Sequence, residues 1–367
     1  MSKKRKPGEA DADIKKLRQQ IDGLDEKIQT LINERARLAL AIAETKQQIG
    51  SNNFYRPERE AEVLRNVMAR HQGPLAEETV ARLFREIMSA CLALESQLRI
   101  AFLGPQGTFT QEAALKHFGH AVATAPLAAI DEVFREVESG NAHFGVVPVE
   151  NSTEGVINHT LDMFMTTPLK ICGEVALRIH HHLMGKNENR ETAKRVVSHQ
   201  QSLAQCREWL DTNLPRLERV AVSSNAEAAR LAAADPTTLA IAGDSAARLY
   251  DLKIFSSNIE DRPDNTTRFL IVGNLATAPS GKDKTSLLLS SRNRPGALQR
   301  LLAPLAKNKI NMTRIESRPS REKQWEYVFF VDIDGHAQDR KVAKALSELE
   351  KEAAFLKRLG SYPQAVL

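Results

Sequence analysis

Apolar residues in the N-terminal part of the chain recur at alternating steps of three and four: Ile14, Leu17, Ile21, Leu24, Ile28 and Leu31, resuming at Leu38, Ile42 and Ile49. That spacing lays them on one stripe of a long helix, an a/d seam of about five heptads that packs along another helix. By periodicity alone the segment is a coiled-coil dimerisation arm. Arg35, however, stands where the seam calls for an apolar side chain, and Lys46 returns to nearly the same face at about 100° per residue. Two buried cations without partners are costly, so the pair points to a bound anion. Gly50-Ser-Asn-Asn breaks the helix and Pro57 suits the first turn of a second one, which runs to about Arg70. After a Gly73-Pro74 turn, a third helix is expected over 76–98. Its stripe carries Val80, Phe84, Ile87, Cys91 and Leu98, with Glu95 one turn beyond Cys91.

From Arg99 the rhythm changes to short apolar strands separated by glycine turns and Ala-rich helices, as at 99–103, 143–149, 195–199, 238–243 and 268–273. Alternating strands and helices imply an α/β domain with largely parallel sheets. Its strand-end loops form the ligand crevice. Residues 276–284 (ATAPSGKDK) read as a polar linker. A compact unit follows: strand 286–290, helix from Pro295, strands 312–317 and 325–333, helix 339–351 and a strand near 355–359. This βαββαβ order is ferredoxin-like.

Composition narrows the functional classes. With 367 residues, 42% hydrophobic and 26% charged, the chain suits a multidomain soluble protein. It contains no apolar run of the roughly 20 residues a membrane span needs. Residues 1–12 are a charged tail rather than a secretory leader. The net charge of +5 is spread along the chain and aromatics are only 5%, which gives no support to nucleic-acid binding. Cys91, Cys172 and Cys206 form neither a metal spacing nor a disulfide framework, which fits the reducing cytoplasm. His180-His-His182 has no suitably spaced carboxylate or cysteine, so no metal is expected.

Residues 13–98 resemble the all-helical chorismate mutases, through Leu17-Arg18-x-x-Ile21, Leu24-Asp25-x-x-Ile28, Glu34-Arg35, Lys46 and Arg59-Glu60. The resemblance implies a pericyclic rearrangement inside a helical homodimer, with no nucleophile, general base or cofactor. It assigns Arg18, Arg35, Lys46 and Arg59 to the carboxylates and ether oxygen of chorismate, and Glu60 to a hydroxyl. Arg56 and Cys91 become further substrate contacts. Arg18 lies about 100° around the helix from Arg35, in keeping with an arginine that serves the partner's site. Two positions depart from the family. Arg56-Pro57 stands where many members have a capping aspartate, and Glu95 where the bacterial prototype has glutamine. Glu95 would aid the developing oxyanion only if protonated.

The central region resembles prephenate dehydratases through five ordered blocks: Gly104-Pro-Gln-Gly-Thr-Phe-Thr, Val147-Pro-Val-Glu-Asn-Ser-Thr-Glu-Gly, Thr160-Leu-Asp, Ser198-His-Gln-Gln-Ser-Leu-Ala-Gln-Cys and Asn265-Thr-Thr-Arg-Phe. Taken singly, such Ser, Thr and Asn residues are as well explained as helix caps. The resemblance implies a two-lobed fold like the periplasmic binding proteins, with Thr267 tied to turnover. Asn151, Ser152 and Arg268 are its candidate partners, Glu150 a further one, and Thr108, Thr160, Ser198 and Phe269 additional substrate residues. His199 reads as a strand-end residue. The C-terminal unit resembles the amino-acid-sensing ACT domains through Pro295-Gly296-Ala297-Leu298 and Glu316-Ser317-Arg318-Pro319. That implies feedback by phenylalanine bound between two subunits; a purely structural dimerisation module is the alternative. The expected domains are thus 13–98 (mutase), 99–275 (dehydratase) and 285–367 (ACT). Prephenate links the two reactions, and a homodimer or higher homo-oligomer carries them.

Overall fold

The structure is a computed structural model and describes residues 7–50, 55–186, 192–291, 294–320 and 327–367. Its N-terminal unit holds α1 (Pro7–Gln48), α2 (Pro57–Ala69) and α3 (Glu77–Glu95). Residues 7–12, read above as tail, already belong to α1, while the rest of that tail lies outside the described residues. Pro57 occupies the first turn of α2, where its missing N–H costs nothing. The helices α2 and α3 close on Leu64, Ala81 and Met88, and Val366 and Leu367 from the far end of the sequence join that cluster. The seam of α1 stays uncovered within one chain: Leu17 is 58% exposed, Leu24 56% and Leu31 63%.

The central unit has two lobes. In the first, β1 (Arg99–Leu103), β2 (Ala123–Leu127), β3 (Phe144–Asn151), β4 (Gly155–Val156), β5 (Lys170–Arg178) and a late strand (Thr266–Gly273) form one sheet. Three helices cover it, α4 (Phe109–Phe118), α5 (Ile130–Glu138) and α6 (Asn158–Thr166). In the second lobe, β6 (His182–Gly185), β7 (Arg195–His199), β8 (Glu218–Val222), β9 (Thr238–Ala242) and β10 (Lys253–Ser256) form a five-stranded sheet. Its helices are α7 (Gln200–Gln205), α8 (Arg207–Asn213), α9 (Asn225–Ala234) and α10 (Asp244–Leu249). The late strand of the first lobe is β11. The sheets are less parallel than expected. The pairs β1–β2, β1–β3, β7–β8 and β7–β9 are parallel, whereas β11 runs against both β3 and β5, and β6 against β9 and β10. The antiparallel strands flank the two crossings between lobes: β5 leads out to β6, and β10 leads back to β11.

The C-terminal unit runs β12 (Asp283–Ser290), α11 (Ala297–Lys307), β13 (Met312–Pro319), β14 (Tyr327–Asp334), α12 (Arg340–Glu352) and β15 (Phe355–Pro363). Its sheet order is β13-β14-β12-β15, the expected ferredoxin-like arrangement. The start expected for β14, at 325, lies outside the described residues. Both β12 and β15 are longer than their apolar runs because Asp283 to Ser286 pair with Pro363 to Gly360. One face of the sheet packs its own helices through Leu287, Val331, Leu301 and Leu346. The other face, with Leu288, Phe330 and Tyr362, shares a core with Val149, Phe164 and Ile171 of the first lobe.

At that shared face Arg268 donates to Glu174 (2.9 Å), Asp332 (2.6 Å) and the Tyr362 hydroxyl (3.0 Å). Lys284 bonds the same Glu174 at 2.8 Å. Truncating Glu174 leaves two buried cations to one carboxylate. We expect Glu174→Ala to destabilise the dehydratase-like and C-terminal units together by about 3 kcal/mol. Thermal melting checks it, and an unchanged transition would show that the network is not structural.

Candidate active sites

An open cavity of ≈ 900 Å³ lies beside the helical unit, lined by Arg35 and Lys46 of α1, Arg56, Arg59 and Glu60 at the start of α2, and Cys91 and Glu95 of α3. Ala278 to Ser280, from the segment read as a linker, also line this cavity. That segment is anchored: Arg65 donates to the Ser280 carbonyl at 2.6 Å. Arg18 is exposed on α1, roughly 25 Å along the helix from Arg35 at the standard rise. It does not reach this cavity in its own chain. Arg59 pairs with Glu62 at 2.7 Å and Arg56 with Glu58 at 2.8 Å.

Two of the carboxyls that line the cavity, Glu60 and Glu95, are perturbed upward. Burial raises Glu60 to about 7, against the pull of Arg85, Arg35 and a hydrogen bond from Tyr55. Burial also raises Glu95, opposed by Lys46 and Arg35. Its Oε2 is buried with no partner. A carboxyl oxygen left without a donor is held at lower cost when protonated.

The second constellation spans the two lobes. Thr267, the second residue of β11, stands opposite Asn151, the last residue of β3. The Asn151 amide nitrogen donates to Thr267 Oγ1 (2.7 Å) and to Asn265 Oδ1 (2.9 Å). Its own oxygen accepts from the backbone of Thr153 and Glu154 (3.0 and 3.1 Å) and from the Thr153 hydroxyl (2.6 Å). Three donors on one oxygen fix which way the amide points. Gln205 of the second lobe extends the chain: its oxygen accepts from Asn265 at 3.0 Å and faces His181 Nε2 at 2.9 Å, while its nitrogen donates to Thr153 at 3.0 Å. Because Asn151 occupies an acceptor lone pair of Thr267, the threonine proton remains available to donate.

The other residues proposed from sequence divide clearly. Ser152 supports the same corner, its Oγ accepting from the Thr266 amide at 3.0 Å. Glu150 pairs with Arg314 at 3.1 Å. Thr108 donates into its own turn, to Leu103 and Pro105 carbonyls. Fully buried Thr160 donates to the Pro148 carbonyl at 2.6 Å, and fully buried Ser198 to the Ile241 carbonyl at 2.7 Å. Phe269 is core. Arg268 is not brought to Thr267; successive strand residues face opposite sides, so it turns to Glu174 and Asp332. His199 ends β7, as expected. Sequence reading did not single out Gln205 and Asn265, although both lie inside the quoted blocks. His181 was weighed only for metal binding, within its histidine run, and Tyr55 and Arg85 carried no local signal.

In the C-terminal unit Gly296 adopts φ +73° just before α11, a conformation glycine takes without strain. With Ala297 and Leu298 it lines a cavity of ≈ 290 Å³, closed on another side by Tyr327 and Phe329. Ser317 pairs with Phe329 and Pro319 with Tyr327 across β13–β14, so the second motif flanks the same cavity. Glu316 and Arg318 are half-buried, and Arg318 donates to Asp162 of α6 at 2.6 Å.

Comparison with known proteins matches three family profiles in order: chorismate mutase type II over residues 17–96, prephenate dehydratase over 100–277 and ACT domain over 285–351. A bifunctional chorismate mutase/prephenate dehydratase of Pseudomonas aeruginosa is 58% identical over 364 residues, covering 98% of this chain and 100% of that protein. The chain belongs to this family. The Stutzerimonas stutzeri member is 57% identical over 96% of this chain and 98% of its own. Among solved structures, the prephenate dehydratase of Arthrobacter aurescens in complex with L-Phe is 35% identical with a TM-score of 0.68, covering 72% of this chain and 90% of that one. Among the described residues, no helix is long and apolar enough to cross a membrane.

The free proton of the Thr267 hydroxyl gives a direct test of this geometry. Asn151→Asp replaces the amide donor with an acceptor that captures the Thr267 proton. Prephenate turnover is expected to fall at least about hundredfold, with melting and mutase activity unchanged. Retained turnover would rule out this proton arrangement.

Proposed function

We propose that the bifunctional enzyme runs its two reactions at these two constellations, divided at about 98/99, with the linker at 276–284 and the regulatory unit at 285–367. In the mutase cavity chorismate loses its ether C–O bond as the new C–C bond forms, within one cyclic electron shift. Catalysis there consists of holding the compressed conformer and stabilising charge on the departing oxygen. Arg35, Lys46 and Arg59 supply the cations, with Arg56 and Cys91 beside them; Glu60 accepts from the substrate hydroxyl. The uncovered seam of α1 calls for a second copy of the chain, whose Arg18 would complete the site. This makes the enzyme at least a homodimer, and its free, buried cysteines suit the cytoplasm.

In the cleft, prephenate loses its ring carboxylate as carbon dioxide. The electron pair of that bond enters the ring and expels the ring hydroxyl, which leaves as water with one proton. Thr267 is the donor toward the departing hydroxyl, and the single observation that carries this assignment is the 2.7 Å bond from Asn151. A threonine is too weak an acid to give up its proton unaided, so the Asn151–Asn265–Gln205 network shares the load. Ser152 braces the site. Thr108, Thr160, Ser198 and Phe269 act from behind the site, bracing the turns and strands that carry it. Phenylalanine is the effector at the cavity of Gly296, Ala297 and Leu298, flanked by Glu316 to Pro319, and slows the dehydratase by favouring a less active arrangement.

Supplied with chorismate, the purified enzyme is expected to form phenylpyruvate, and more slowly when phenylalanine is added. Persistence of chorismate with consumption of added prephenate would reduce the helical unit to a dimer arm.

Glu95 adds a pH signature. A carboxyl with a raised pKa donates to the ether oxygen while protonated, so its contribution is present at low pH and lost as pH rises through that pKa. Glu95→Gln, a permanent donor, should abolish the alkaline fall in the mutase pH–rate profile. A flat parent profile that the substitution leaves unchanged would sink this role.

A further inference from the structure

The mutase residue Glu60 also lines a second, much smaller cavity of ≈ 30 Å³, where α2 and α3 meet α4 and β5 of the dehydratase. Tyr55, just before α2, is the residue that crosses this boundary. Its ring is buried against Phe118 and Phe144 of the dehydratase, at centroid distances of 5.4 and 5.1 Å. Its hydroxyl lies 2.9 Å from His117 Nε2, and Tyr55 lines the larger cavity together with Glu60, whose ionised form the hydroxyl favours.

We propose that His117, a residue of the dehydratase helix α4, is a positioning residue for the mutase reaction, holding the Glu60 carboxyl through the Tyr55 hydroxyl. The inference rests on the assignment of Glu60 to mutase chemistry made above.

Proton counting makes the chain directional. Tyr55 has one O–H, kept by burial, which raises its pKa well above the ordinary value. His117 is neutral, its pKa lowered by burial and by Arg85, so it has one N–H. When Glu60 is ionised, His117 donates from Nε2 to Tyr55, and Tyr55 donates to Glu60. When Glu60 is protonated both bonds reverse, and His117 must accept at Nε2. The histidine tautomer and the charge of Glu60 therefore change together.

The surroundings hold His117 in place. The Arg85 guanidinium donates to its backbone carbonyl. Gly173 of β5 leaves no slack, since a Cβ there would stand 2.9 Å from His117 Cε1. The charged and titratable groups around the relay are Arg35 on α1, Glu58 on α2, Arg85 on α3, Lys116 on α4, and Cys172 and Glu174 on β5. Of these, Arg35 and Arg85 favour the ionised Glu60, as does the Tyr55 donor.

The test uses the full-length enzyme, with mutase kcat/KM measured against pH and prephenate turnover as the control for folding. Tyr55→Phe and His117→Leu are expected to lower mutase kcat/KM about tenfold. They should also move its acid-side rise, set by ionisation of Glu60, to higher pH. His117→Gln, with an amide near the place of Nε2, should restore most of both. The double variant should be no worse than Tyr55→Phe alone, as for two members of one chain. Dehydratase turnover should hold throughout, because His117 lies outside the Thr267 network.

A His117→Leu mutase profile that superimposes on the parent's, with dehydratase intact and Glu60→Gln inactive as a mutase, overturns the inference alone. Full mutase activity in Glu60→Gln overturns the underlying assignment as well. Should His117→Leu fail to fold, an unmoved acid limb in Tyr55→Phe is decisive against the relay.

Discussion

The alternation of a single strand governs this molecule. Along β11, Thr267 faces Asn151 and Arg268, the next residue, faces the C-terminal sheet. Arg268 cannot be left alone there: a buried guanidinium is tolerated only with carboxylates and hydrogen bonds around it. Glu174, Asp332 and Tyr362 meet that need, with Lys284 balancing the second carboxylate. Because Asp332 sits on β14 and Tyr362 on β15, satisfying Arg268 means docking the C-terminal sheet. The backbone that carries Thr267 is thereby joined to the C-terminal unit, one peptide away from it.

The helical unit is joined in the same manner, by exchange of side chains rather than by surface contact alone. Tyr55 leaves its own unit to fill the aromatic core of the first dehydratase lobe, while Val366 and Leu367 fill the core between α2 and α3. Ser280, beyond the dehydratase, closes the mutase cavity. Three units that are separable along the sequence thus complete one another's cores. Each gains apolar burial it would lack alone, at roughly 25 cal/mol for every Å² removed from water. What the seam of α1 lacks in one chain, by contrast, no other unit of that chain supplies.

Much of this was legible before any coordinates. The heptad rhythm located α1, the residues of its cationic interruption line one cavity, and the ordered blocks contain the Asn151–Asn265–Thr267 cluster. The ferredoxin-like order of the C-terminal unit is as expected. What escaped has a common cause. Thr160 and Ser198 sit in motifs, yet their hydroxyls are spent on carbonyls in the core, and one-dimensional reading does not separate a cap or a core bond from a ligand contact. The grouping of Arg268 with Thr267 followed sequence adjacency where a period of two should have separated them. Gln205, His181 and the Tyr55–His117 pair depend on contacts across lobes or units, which periodicity does not encode.

The same alternation operates on β13, beside the cavity of Gly296 to Leu298. Ser317 and Pro319 lie on its exposed side, while Arg314 and Arg318 reach back to Glu150 and Asp162 of the dehydratase. Glu150 immediately precedes Asn151, the residue that orients Thr267. The edge strand beside Tyr327 and Phe329 is thus bonded, through its opposite side, to the first dehydratase lobe. Of the two edges of that sheet, β13 and β15, it is the β13 edge whose arginines reach to within one residue of the amide that orients Thr267.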